Sequence, residues 1–368
     1  MKQSSRQWYL RFHKAITSYD FQMIEEDHCV YIKRFEGNFV ILSLYVDDIL
    51  LAGNSLDSVV AIKEWLSSNF EMKDMGEAEY ILGVKIQRNR SKRILSLSQE
   101  NYINKILERF NMKDCNPMST PVATGVALSS DMCPKTESDK KKMERVPYAS
   151  AVGSLMYAMM CTRPDICYAV GLVSRFQSNP DEKHWKAVKR ILRYLKGNYD
   201  YALCYEGGDL RLVGYSDADV GGDEEERRST SGYTFLLNNG AICWSSKKQT
   251  CIALHSMEAE FVACTAAVQE ALWLKRFIEH LGFGNKSTNP VTVYCDNTAA
   301  IAYTKDPKYH SKTKHIDIKY NFVRDYIAQK IVTVQYISTK CMVADPLTKP
   351  IGEKVFKKHV QALGIRKV

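Results

Sequence analysis

Apolar and polar positions alternate first between Cys29 and Val46, where the runs CVYIKR and FVILSLYV flank the turn residues Phe35 to Asn38. That spacing predicts a β-hairpin ending at Asp47 and Asp48, with a helix from Ser58 to Phe70 after it. YILGVKIQR and ILSLS predict a second strand pair. In QENYINKILERF the apolar residues Tyr102, Ile103, Ile106, Leu107 and Phe110 recur at helical intervals. From Asn116 to Tyr148 the chain is rich in Pro, Ser, Asp and Lys with few large apolar residues, the composition of a linker.

Beyond it, Ala151 to Lys196 reads as helical. Its last helix sets Trp185, Val188, Leu192 and Leu195 on one face and Lys186, Lys189, Arg190, Arg193 and Lys196 around the other. From Leu210 the pattern becomes strand (LRLVGYSDA), strand (TSGYTFLLN), strand (GAICWSS), long helix (Met257 to Leu281), strand (VTVYCD), helices, strand (IVTVQYI) and helices. Three hairpin-linked strands followed by alternation predict an α/β (α+β) arrangement, a mixed sheet flanked by helices. The 368 residues accommodate two or three domains. Three segments are expected, 1–115, 116–200 and 201–368.

Bulk composition adds little to this picture. The 45% hydrophobic and 25% charged residues are those of an ordinary globular protein, and a formal charge of +9 favours a polyanionic partner without identifying one. Eleven cysteines, none in a CxxC spacing, read as reduced, buried thiols of an intracellular protein. The start MKQSSRQWYLRF lacks an apolar signal core, and the longest apolar run, Phe39 to Val46, is too short to cross a bilayer. The expectation is a protein neither secreted nor membrane-bound, in cytoplasm or nucleus.

Candidate chemistry lies in carboxylates at strand ends and helix starts, where an α/β sheet gathers its ligands. Asp217 falls one residue beyond the apolar run of its strand, Glu260 in the first turn of the long helix, Asp296 after VTVYC and Asp345 at a late helix start. Each alone is a common turn or cap residue. Together, however, the runs GYSDAD, RRSTSGYTF, SSKKQTCIALHSMEAEF, VYCDNTAAI, KTKHIDIKYNFVRD and ADPLTK resemble the ribonuclease H domain of copia-type retrotransposon polyproteins. The resemblance implies a ribonuclease H-like five-stranded mixed sheet. It also implies hydrolysis of the RNA strand of an RNA/DNA hybrid by two Mg²⁺ ions, with Mn²⁺ as substitute, and carries the ligand roles onto Asp217, Glu260, Asp296 and Asp345. Asp219 and Glu258 are the second choices in SDAD and SMEAEF. The chain departs from the family at Val220, where Trp is common, and at His255, where Ser is. His315 and the basic residues Lys186, Lys189, Arg190 and Arg193 are candidate contacts to nucleic acid.

Upstream, YVDD (Tyr45 to Asp48) places two adjacent carboxylates on the predicted hairpin. KQSSRQWY, LLAGN, ILGVKIQR and LSLSQENYINKILERFNM resemble the palm and thumb of the copia-type reverse transcriptase. VPYASAVGSLMYAMMCTRPDICYAV resembles the connection to ribonuclease H in the same polyproteins. Pro is usual where Ser5 stands. Asp47 and Asp48 then form a partial polymerase metal site, and the expectation is a truncated palm and thumb without polymerase activity, preceding a complete ribonuclease H domain. The rival expectation is a catalytically silent nucleic-acid-binding remnant, and a complete reverse transcriptase is a candidate pairing partner.

Overall fold

The computed structural model describes residues 2–208, 210–223, 225–283, 290–305 and 314–368, the side chains of 2–4 and 314–320 excepted. Two compact units emerge, Met1–Ala78 with Trp273–Thr288, and Glu79–Leu272 with Asn289–Val368.

The first unit opens on helix α1 (Lys2–Ser18) and continues through strands β1 (Gln22–Met23), β2 (Val30–Phe35), β3 (Asn38–Tyr45) and β4 (Asp48–Gly53) to helix α2 (Leu56–Asn69). The strands form an antiparallel meander in sequence order. Glu36 and Gly37, both at positive φ, make the two-residue turn between β2 and β3, with Phe35 paired to Asn38. Along β3 the buried residues are Val40, Leu42 and Leu44, so one face packs with Phe12, Ile16, Ile62 and Leu66. The opposite side of the meander buries Ile24, Val30 and Ile32 against Phe277 and Leu281. The expected hairpin is therefore one half of a longer meander. Tyr45 pairs with Asp48 across Val46 and Asp47, and β4 was not expected because its apolar run ILLA does not alternate.

The second unit contains two five-stranded sheets. Strands β5 (Tyr80–Ile81), β6 (Val84–Asn89) and β7 (Ile94–Ser98) lead to helices α3 (Glu100–Arg109), α4 (Glu137–Glu144), α5 (Tyr148–Cys161), α6 (Cys167–Ser174) and α7 (Glu182–Gly197), and then to β8 (Tyr201–Glu206). β8 pairs antiparallel with β7, and the C-terminal strand closes the other edge of β8. The compact units thus divide the chain elsewhere than at the expected segment boundaries. Pairing between strands distant in sequence leaves no local trace in the residues that pair. Ile103, Leu107, Val152, Leu155, Val170, Ile191 and Leu195 form the core of this part.

Segment 116–148, read as a linker from its composition, is tied to α7. Arg193 Nε donates to the Asn116 carbonyl at 2.6 Å, Met118 N–H to the Arg193 carbonyl at 3.2 Å, and Arg190 Nη2 to Thr120 Oγ1 at 3.0 Å.

The other sheet is built from β9 (Val213–Ala218), β10 (Thr230–Leu237), β11 (Gly240–Lys248), β12 (Val291–Cys295) and β13 (Val332–Tyr336), in spatial order β11-β10-β9-β12-β13. β9 to β11 pair antiparallel, whereas β12 runs parallel to both β9 and β13. This is the mixed five-stranded sheet expected from the sequence. Its helices are α8 (Ser256–His280), α9 (Thr298–Lys305), α10 (Lys314–Ala328) and α11 (Glu353–Ala362), and β14 (Ile365–Lys367) ends the chain in the companion sheet. The eleven cysteines are all free; Cys167, Cys204, Cys264 and Cys295 are buried as expected, but Cys29 and Cys341 are exposed. Among the described residues no helix is long and apolar enough to cross a membrane.

Candidate metal centre

Asp217 lies in β9, the central strand of the mixed sheet, directly across from Gly232 of β10. Its neighbour matters, because a Cβ on Gly232 would stand 2.6 Å from Thr348 Cγ2 and 2.9 Å from Leu347 Cβ. Glycine there lets the turn 345–348 reach the sheet. The Thr348 hydroxyl consequently donates a hydrogen bond to Asp217 Oδ2, and Asp345, in the same 3-10 turn (Asp345–Leu347), is brought to the same end of β9. Asp217 is 1% exposed and Asp345 5%.

Glu260 sits near the start of α8, 6% exposed, and accepts a backbone hydrogen bond from Ala218. Asp296 follows the last residue of β12. Glu260, Cys295 and Asp296 each offer a ligand atom, all within 4.8 Å of one another. Four carboxylates from four separate segments therefore converge at one end of the sheet, where parallel β9 and β12 lie side by side.

Their electrostatics reflect this crowding. Burial raises the Asp217 carboxyl above the usual carboxylate range, and the negative charges of Asp345 and Asp296 add to it against the opposing pull of Lys349 and Thr348. Burial also raises Glu260, reinforced by Asp217 and Asp296. Lys349 is the one cation at the cluster among the described residues, its Nζ 2.9 Å from Asp345 Oδ1 and 3.4 Å from Asp217 Oδ2. Burial works against the lysine charge, but the two carboxylates outweigh it and hold its pKa above the ordinary value. Although Nζ is close to Asp345 Oδ1, the approach does not have hydrogen-bond geometry, and that buried oxygen has no hydrogen-bond partner. An orphaned, buried carboxylate oxygen suits a cation ligand.

The two alternative carboxylates are engaged elsewhere. Asp219 Oδ1 accepts from Thr230 N–H and its own N–H donates to the Thr230 carbonyl at 3.1 Å, closing the loop between β9 and β10. Burial and Asp217 push its carboxyl up to about 6 despite that hydrogen bond. Glu258 Oε2 accepts from Leu254 N–H at 2.8 Å, bracing the turn before α8. His255 is exposed, and its carbonyl accepts from Glu258 and Ala259, so its backbone starts the helix while its ring faces solvent. Val220 is exposed as well.

Sequence reasoning missed Thr348, Lys349, Gly232 and His359. The His359 imidazole is buried in α11, its Nε2 without a hydrogen bond, and burial lowers its pKa to about 4. ADPLTK carried the signal for the first two residues, since Lys349 stands four residues after Asp345. Nothing local marked the others.

The remaining candidates lie apart from this cluster. Lys186 pairs with Glu182 at 2.9 Å, and Arg190 and Arg193 hold segment 116–120 as described; Lys189 is half-buried on the same helix. His315 falls in α10, with its side chain outside the described residues. Asp47 and Asp48 are exposed on the β3–β4 turn of the first unit, where Trp8 Nε1 donates to the Val46 carbonyl at 2.7 Å.

A profile of the reverse transcriptase (RNA-dependent DNA polymerase) family matches residues 1–124. Over 366 residues the sequence is 49% identical to the retrovirus-related Pol polyprotein from transposon TNT 1-94 of Nicotiana tabacum, an alignment covering 99% of this chain and 27% of that protein. It is 30% identical over 272 residues to the putative transposon Ty5-1 protein of Saccharomyces cerevisiae, covering 73% of this chain and 86% of that one. The N-terminal ribonuclease H domain of a Mycobacterium tuberculosis protein aligns with 42% of this chain and 99% of its own, at 11% identity and a TM-score of 0.28. The chain spans about a quarter of the length of the tobacco polyprotein.

Proposed function

The chain belongs to the family of copia-type retrotransposon Pol polyproteins, and from that premise we propose that its mixed sheet carries an endoribonuclease that cuts the RNA strand of RNA/DNA hybrids. The observation that carries this reading is the convergence of Asp217, Glu260, Asp296 and Asp345, three of them nearly sealed from water. Buried carboxylates repel one another, and such a cluster is stable only when protonated or when a cation lies among its oxygens.

The donor set fits Mg²⁺ or Mn²⁺, hard cations that take oxygen ligands, and Asp345 Oδ1, which makes no hydrogen bond and faces the Lys349 ammonium, provides one such donor. Two such ions, when bound, supply an activated water and neutralise the charge on the leaving oxygen. The chain's own part is to hold four carboxylates in place. Thr348 fixes Asp217 by its hydroxyl, the Ala218 backbone fixes Glu260, and the 3-10 turn presents Asp345. The scissile strand would be selected through its 2′-hydroxyls and its phosphates held by Lys and Arg side chains, with Lys186, Lys189, Arg190, Arg193 and His315 as candidates. Asp47 and Asp48 are candidate ligands of a separate polymerase site in the first unit.

The test is cleavage of a hybrid labelled on the RNA strand by the purified chain, in Mg²⁺, in Mn²⁺ and in chelator, beside Asp296→Asn. Cleavage confined to the RNA strand, requiring the ion and lost in the variant, supports the proposal. Hybrid binding without cleavage under every metal condition would reassign the chain as a silent nucleic-acid-binding module.

A further inference from the structure

We propose that Lys349 is a built-in competitor for the metal-binding carboxylates. Its ammonium group holds Asp217 and Asp345 together without metal, and must withdraw from them for a divalent cation to take the same oxygens. This rests on the carboxylate cluster being a metal centre.

The geometry argues for competition rather than for an ordinary surface ion pair. One Nζ contacts carboxylates from two elements, 2.9 Å from Asp345 Oδ1 and 3.4 Å from Asp217 Oδ2. Both acids are buried, so the attraction is less screened than at the surface. The lysine side chain, by contrast, keeps 36% of its surface in solvent. It approaches from the open side of the cluster and has water to return to.

The contact is also only weakly directional. Asp345 Oδ1 makes no hydrogen bond despite the short distance, and the hydrogen bond that Lys349 Nζ donates to Asp217 Oδ2 is long, 3.4 Å, and shares that oxygen with the Thr348 hydroxyl. The lysine thus supplies charge more than structure. A lysine suits this role, being a compact charge on a flexible stem, whereas an arginine fork would grip the carboxylates at two points. Its position is set by the same turn that presents Asp345, since Lys349 N–H donates to the Asp345 carbonyl at 3.4 Å. Any rearrangement that brings the carboxylate in brings its counter-ion with it. The expected consequence is a metal-free state that tolerates the clustered acids, and a metal affinity weaker than the ligands alone would give.

Calorimetric titration of the full chain with Mg²⁺ and with Mn²⁺, without nucleic acid, compares wild type with Lys349→Met and Lys349→Arg, alongside thermal melts in chelator. Lys349→Met is expected to lower the metal-free Tm by roughly 2–4 °C and to raise Mg²⁺ affinity about tenfold or more. Lys349→Arg is expected to keep the melting temperature and to weaken Mg²⁺ binding. Wild-type binding with equal or weaker affinity in Lys349→Met would overturn the competition and make the lysine a cooperating or purely structural group. If Lys349→Met does not fold, the arginine variant decides: weaker binding supports the inference and unchanged binding overturns it. Absence of divalent-ion binding in wild type and both variants would overturn the metal centre itself, and this inference with it.

Discussion

Arg163 and Asp165 form a two-point ion pair closed to solvent, with Nε 3.0 Å from Oδ1 and Nη2 2.7 Å from Oδ2. The same Asp165 Oδ2 accepts from the Tyr194 hydroxyl at 2.5 Å, and Arg163 Nη1 donates to the Asn198 carbonyl at 3.0 Å. A loop before α6 and the end of α7 are thereby fixed through one charged knot. Removing a single partner leaves the other charge buried and unpaired. Arg163→Met or Asp165→Asn should therefore cost about 3–5 kcal/mol in urea melts, while Tyr194→Phe, which removes only a hydrogen bond, should cost about 1–2 kcal/mol. Charge variants within 1 kcal/mol of wild type would show that the knot relaxes into water.

Gly232 gives a prediction about the site through packing alone. The turn 345–348 lies where its side chain would be, with Thr348 Cγ2 2.6 Å and Leu347 Cβ 2.9 Å from the Cβ position. Gly232→Ala must displace that turn, at a cost of about 1–3 kcal/mol for overpacking. Since the turn carries Asp345, Thr348 and Lys349, cleavage and Mg²⁺ affinity should fall while the circular dichroism spectrum is kept. Full activity in Gly232→Ala would mean that the turn can move away without disturbing Asp217.

A third prediction is the pH dependence of the metal-free chain. Carboxyls whose folded pKa is raised stabilise the fold in their protonated form, a contribution fully present below the ordinary value near 4 and lost as pH rises through the folded value. That value is about 6 for Asp219 and about 9 for Glu260. His359, lowered to about 4, acts in the opposite sense: its contribution is present above about 6.5 and is lost as pH falls toward 4. Between about pH 7 and 8.5 the histidine is neutral in both states, leaving Glu260 as the group of this cluster still losing its contribution. In chelator the melting temperature should decline across that interval, and Mg²⁺ should flatten the decline. A metal-free melting temperature that rises there would refute the assignment of a strained, protonated Glu260.

What the sequence made legible divides along the range of the interactions. Apolar spacing located the strands of the mixed sheet and helices α2, α3, α7 and α8 because burial of one face writes a period into neighbouring residues. The motifs that carry the family resemblance marked Asp217, Glu260, Asp296 and Asp345. Helix α1 was not expected, although Trp8, Phe12 and Ile16 stand four residues apart, because polar and basic residues fill most of the positions between them. The pairing of β8 with β7, and the return of β14 to β8, join residues far apart and have no local signature. The basic face of α7 shows the same limit. Composition displayed its charges, whereas the partners of Arg190 and Arg193 on segment 116–120 are visible only in three dimensions.

The two glutamates of SMEAEF should separate in opposite directions. Glu258 uses Oε2 to accept from Leu254 N–H at 2.8 Å, and a glutamine keeps an oxygen able to do the same. Glu258→Gln should thus change stability by less than about 0.5 kcal/mol and leave hybrid cleavage within about threefold of wild type. Glu260 is buried beside Asp217 and Asp296, which oppose its ionisation, so a neutral amide there removes the cost of protonating on folding a carboxyl that is ionised in the unfolded chain. Glu260→Gln should consequently melt higher than wild type in chelator at pH 8, bind Mg²⁺ more weakly, and lose cleavage by about a hundredfold or more. A residue kept at the expense of stability and required for turnover has a functional reason for its charge. If Glu260→Gln were instead less stable and fully active, the carboxylate would be a structural group, and Glu258 would have to be tested as the ligand in its place.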